Sequence, residues 1–154
     1  MMYLLVKWLH VLSSTILFGT GIGSAFYMLT VSLGKETHTV ARVTRGVVVA
    51  DWLFTTPTAI ALPLTGFAMV KLAGMSVASS WLAWSIALYA VAIACWLPVV
   101  CLQIRLAAIA RRCDEMRAPL TAGYWRLFAW WIGLGVVAFF AFVVIFWFMV
   151  TKTV

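Results

Sequence analysis

Four apolar stretches, at about residues 3–31, 46–70, 81–105 and 126–150, leave this chain almost no choice of solvent. Each is long enough to cross a hydrocarbon core, which takes about 20 mainly apolar helical residues. Backbone groups in lipid must be hydrogen-bonded within the protein, so each span is read as an α-helix. Of the 154 residues, 66% are hydrophobic and 10% charged. A soluble domain of that size has too small an interior to hide so much apolar surface. The expected architecture is all-α: a single transmembrane domain over residues 1–154, an up-down four-helix bundle, because short connections favour antiparallel neighbours. The first stretch is read as a retained helix. No basic region precedes it, and its run exceeds the roughly 7–15 apolar residues of a signal peptide.

The expected connections run through 34–45, 71–80 and 111–124. The first and third, with adjoining helix ends, hold eight basic residues: Lys35, Arg42, Arg45, Arg105, Arg111, Arg112, Arg117 and Arg126. The other side holds three, Lys7, Lys71 and Lys152. Basic loops stay in the cytoplasm, so a multi-pass protein of the bacterial inner membrane with both termini on the outer side is expected. The net charge of +7 therefore reads as membrane topology and gives no reason to expect nucleic acid. Trp81, Trp84 and Trp147 are placed for an outer aromatic belt, and Trp125, Trp130 and Trp131 for an inner one. Cys95 and Cys101 are expected as buried small apolar residues and Cys113 as a loop thiol. No C-x-x-C pair is present.

Helical spacing sorts the faces. On the first span Tyr3, Lys7, His10, Ser14, Leu17, Gly21, Ser24 and Met28 share one side, expected to look inward. Gly19 and Gly23 stand at G-x-x-x-G spacing, which implies close helix packing or room for a flat ring beside the backbone. The second span carries Asp51, Thr55, Thr58, Leu62, Thr65 and Met69 on one face, with Pro57 and Pro63 expected to kink it. The third aligns Ser85, Tyr89, Ala92, Trp96, Val99 and Gln103, with a kink expected at Pro98. The fourth offers Gly133 and Gly135 for close approach.

Two polar centres follow. Lys7 and His10 lie one turn apart within the outer half of the first span, and intramembrane ionisable groups usually face a bundle interior, a cavity or a cofactor. Asp51 is the lone acid inside the spans. A carboxylate there needs a partner, and Arg105 or Arg126 from neighbouring helices are the expected ones, with Gln103 nearby. This inner cluster reads as a structural ion pair or a proton-handling site.

The strings Asp51-Trp52-Leu53-Phe54-Thr55-Thr56-Pro57-Thr58, Cys95-Trp96-Leu97-Pro98-Val99-Val100, Leu102-Gln103-Ile104-Arg105 and Tyr124-Trp125-Arg126 resemble the bacterial integral-membrane family catalogued as domain of unknown function 2269, over all four spans. That resemblance brings no activity with it. The start Lys7-Trp8-Leu9-His10-Val11 is similar to the opening of the HemJ family, membrane protoporphyrinogen oxidases that bind haem b, and to that of the copper-linked CopD family. The HemJ likeness implies a haem b or porphyrin site with His10 as iron ligand and Lys7 beside it. Ser14 and Gly21 would share the cofactor's face. The L-F-V-Y-H continuation of HemJ is absent; Ser24-Ala25-Phe26-Tyr27-Met28 stands there.

The first functional expectation is thus a haem-binding, possible redox membrane protein that exchanges electrons with a quinone or acts on a porphyrin. His38, the other histidine, lies across the membrane, so a second axial ligand would come from another residue type or another copy. A homo-oligomer, or a subunit of a larger complex, fits that need. The alternatives are a CopD-like metal or solute transport component, to which kinked helices with polar centres on both sides are suited in outline, and a non-catalytic accessory subunit.

Overall fold

The computed structural model describes residues 1–76 and 79–152. It contains α1 (Met2–Leu33), α2 (Thr37–Ala50), a π-helical turn (Asp51–Thr55), α3 (Thr56–Leu72), α4 (Ser80–Glu115) and α5 (Ala122–Thr151). The segment from Thr37 to Leu72 runs as one long helix, so four helices are long and apolar enough to span a membrane. The expected four-helix membrane bundle is what forms.

Two of the expected connections are much shorter than the charges implied. Between α1 and α2 only 34–36 separate the helices, and between α4 and α5 only 116–121. Arg42, Arg45, Arg111 and Arg112 sit on helix, not in loops. The reason is amphipathic spacing: Val40, Thr44 and Val47 on α2, and Leu106, Ala110 and Cys113 on α4, are buried at three- and four-residue intervals. The arginines take the other face. Charge alone marks where a span leaves the hydrocarbon, not where its helix stops. Both turns close on a basic residue in the left-handed region, Lys35 (φ 58°) and Arg117 (φ 50°).

These extensions build the principal core at the basic end. Met28, Val40, Val47, Val99, Leu106, Ala110, Tyr124, Phe128 and Trp131 pack as one cluster. Inside it the hydroxyls of Ser32 and Tyr124, both fully buried, lie 2.7 Å apart and share a hydrogen bond. Thr37 Oγ1 donates to the Ala118 carbonyl at 3.2 Å, and His38 Nδ1 lies 3.2 Å from Asp114 Oδ2. Cys113, expected in a loop, is buried here on α4.

Toward the opposite end a smaller core forms from Leu17, Ala59 and Leu62. Pro63 lies inside α3 and leaves the carbonyl four residues earlier, Ala59, without its helical donor. The Tyr89 hydroxyl, reaching from α4, donates to that carbonyl. A tyrosine on one helix thus repairs a proline break on another. Tyr89→Phe is expected to lower stability by about 1–2 kcal/mol, because the carbonyl loses its donor in a water-poor setting. Thermal unfolding in detergent measures it.

Candidate ligand cavity

Pro57 stands at the start of α3, so the N–H that a regular helix would aim at Leu53 is missing. The chain widens there into the π turn. The Thr56 N–H reaches back to the Asp51 carbonyl, and Thr56 Oγ1 donates to the same oxygen at 3.0 Å. Such single π turns recur at functional sites. Here the turn directs Asp51 and Thr55 inward; both are buried, at 4% exposure.

Both residues line a cavity of about 510 Å³ between the helices. From α4, Ala92, Trp96, Val99 and Gln103 face it. From α1 come Leu17, Phe18, Gly21 and Ala25, and from α5 Trp131, Gly135, Phe139 and Phe142. The walls are mainly apolar and aromatic, and among the described residues they carry five buried polar atoms without a hydrogen bond of good geometry, although the Thr55 hydroxyl and the Trp96 indole both stand close to the Asp51 carboxyl. The five are Asp51 Oδ2, Thr55 Oγ1, Trp96 Nε1, Gln103 Oε1 and Trp131 Nε1, and all five residues line this one cavity. Leaving a buried polar atom unpaired costs about 1–3 kcal/mol. Five such atoms around a single space make this cavity the candidate site.

The inward faces expected for the second and third helices are the ones that meet here, and Asp51 and Gln103 share the cavity. Arg105 and Arg126 do not join them. Both are exposed, and among the described residues neither forms an ion pair; the two ion pairs are His38–Asp114 and Arg111–Glu115. Arg105 lies instead beside Pro98, Cys101 and Trp130 on another face of the bundle. At that height α4 turns Gln103 inward, and Arg105, two residues on, points away.

His10 is held by the opposite helix. Its Nδ1 lies 3.1 Å from the Leu62 carbonyl and 2.9 Å from Thr65 Oγ1. A carbonyl only accepts, so Nδ1 is assigned the proton and donates. Gly66 eases this approach: a Cβ there would stand 3.3 Å from the ring's Cε1, a tight contact. His10 does not line the cavity. Lys7 is exposed, and Ser14 Oγ is spent on the Val11 carbonyl at 2.8 Å. Of the four residues expected to share a cofactor face, Gly21 alone reaches the cavity.

Two further expectations change. A Cβ built on Gly19, Gly21, Gly23, Gly133 or Gly135 meets nothing within 4 Å, so these glycines do not pack helix on helix within the chain. Trp131, expected in an aromatic belt, is buried and faces the cavity, whereas Trp84, Trp130 and Trp147 are exposed as a belt requires. The indole was missed because α5 is apolar all round and offers no stripe to read. Thr55 and Trp96 stood on the right faces; their unsatisfied atoms are visible only in three dimensions.

The family described as predicted integral membrane protein (DUF2269) matches residues 4–153, and the chain belongs to it. None of the curated proteins and none of the solved structures matches the chain.

Proposed function

We propose that this member of the family binds, in the cavity between its helices, a lipid-soluble molecule with a flat, uncharged, hydrogen-bonding head of the quinone class. The five orphaned polar atoms around one aromatic-walled space carry this reading. Indole N–H groups only donate, so Trp96 and Trp131 suit the carbonyl oxygens of a quinone. Asp51 Oδ2 and Gln103 Oε1 suit the hydroxyls of the reduced quinol as acceptors, and Thr55 Oγ1 serves either role. The site thus has partners for both redox forms. Its volume lies in the ordinary range for small-molecule pockets, roughly 300–1,000 Å³. The basic end is taken as cytoplasmic, following its excess of arginine, in a bacterial inner membrane.

The test is titration of purified protein with a short-tailed menaquinone, read by tryptophan quenching. Saturable quenching is expected, and it is expected to shrink in Trp96→Phe and Trp131→Phe because those indoles flank the ligand. Quenching that rises linearly without saturation speaks against the site.

A second reading concerns haem b at His10, favoured by one observation. A metal-ligating histidine usually gives its other N–H to a carbonyl or carboxylate, and His10 does so toward Leu62. Among the described residues no group of three His, Cys, Asp or Glu side chains forms, so the reading rests on the one imidazole. Haem bound there would supply a one-electron centre, with Lys7 near enough along the helix to face a propionate. A second axial ligand would come from another residue type or from a second copy of the chain. A Soret band in the purified protein, lost in His10→Ala, is the expected sign. A colourless preparation that takes up no added haem would remove this reading and leave the cavity untouched.

A further inference from the structure

The cavity has a side door. Its polar end is deep: Asp51, Thr55 and Gln103 are each 4% exposed. Its α1 and α5 wall is the reverse. Ile22, Phe26, Val136 and Phe140 line the same space and are 43%, 63%, 48% and 60% exposed. One cavity therefore runs from buried polar atoms to the outer surface of the bundle at membrane depth.

The gap between α1 and α5 is bounded at both ends. On one side Phe18 packs against α5, its ring centroid 5.5 Å from Phe139 and 5.1 Å from Phe146. On the other, Ser32 is bonded to Tyr124. Between these two clasps stand Gly21 and Gly135, both lining the cavity and both with open space where a side chain would be. A glycine that touches nothing gains the fold nothing and costs helix stability, roughly 0.5–1 kcal/mol against alanine. Its effect here is to keep the gap open.

Resting on the quinone-class reading of the cavity, we propose that the ligand enters from the lipid through the slot between α1 and α5 at Gly21 and Gly135, and that its prenyl tail stays in that slot while the head lies against Asp51, Gln103 and Trp96. The exposed slot residues are aliphatic and aromatic, the chemistry that a hydrocarbon tail matches and a water-soluble solute does not. Binding then needs no aqueous path and no opening of the helix ends.

The test compares two probes, menadione, which has no tail, and a menaquinone with a short prenyl tail, on wild type and on Gly21→Leu/Gly135→Leu. The built Cβ positions are free, so the variant is expected to fold, and thermal unfolding checks this. Expected is a loss of tailed-probe affinity of about tenfold or more, which is about 1.4 kcal/mol, with menadione affinity within about threefold of wild type. Unchanged binding of the tailed probe overturns the side door. So does a variant that alters only the oligomeric state, since the slot would then be a contact between copies. Wild type that binds neither probe removes the quinone-class reading itself, and the door with it.

Discussion

Asp51→Leu is expected to make the ligand-free protein more stable and to weaken binding in the cavity. The two effects share one cause. Asp51 is buried, only the neutral Thr55 and Trp96 side chains stand close to its carboxyl, and among the described residues no arginine pairs with it. A buried polar group in that position is a burden to the fold, and replacing it with an apolar group of similar size typically gains about 1–3 kcal/mol. Removing the acceptor takes away one of the ligand's anchors, for a loss of about tenfold to a hundredfold in affinity. Thermal unfolding in detergent, with and without a menaquinone, reads both. A structural ion pair, the alternative raised by the sequence, predicts the opposite sign for stability: breaking a buried pair costs about 3–5 kcal/mol.

Tyr124→Ala is expected to be the most damaging single change to the fold. Tyr124 is completely buried and is stacked on Phe128, with ring centroids 5.8 Å apart, and bonded to Ser32. Truncating a large buried aromatic costs about 3–5 kcal/mol, and Ser32 would also be left without its partner. Tyr124→Phe keeps the ring and isolates that second part, about 1–2 kcal/mol. Both belong to unfolding measurements on the purified protein. A Tyr124→Phe cost equal to that of Tyr124→Ala would mean that the hydrogen bond, not the packing, holds α1 to α5 at the basic end.

Much of the bundle could be read from the chain before any coordinates. Four apolar runs settle the number of spans, and the 3-4 spacing picked out Leu17, Asp51, Thr55, Leu62, Ser85, Ala92, Val99 and Gln103, all of which are buried. The errors share a physical origin. Charges mark helix ends too early, because an amphipathic helix carries arginines on one face while Val40, Leu106 and Ala110 are buried on the other. The cost of an unpaired buried carboxyl argues for an arginine beside Asp51. The fold accepts that cost at a cavity, and a sequence pattern registers polarity without registering space. His10 drew attention as an ionisable group in an apolar run. Its bonds to Leu62 and Thr65 show it tying α1 to α3, a contact between residues 52 and 55 positions apart in the chain.

The quinone-class reading is tested most directly by mass spectrometry of the lipids that remain with the protein after purification in mild detergent. Expected is a quinone or quinol in near-equimolar amount with wild type and with His10→Ala, and its depletion by about tenfold or more in Asp51→Leu, matching the anchor's expected contribution. A wild-type preparation with no more quinone than the bulk membrane, or an Asp51→Leu protein that retains as much as wild type, would contradict it.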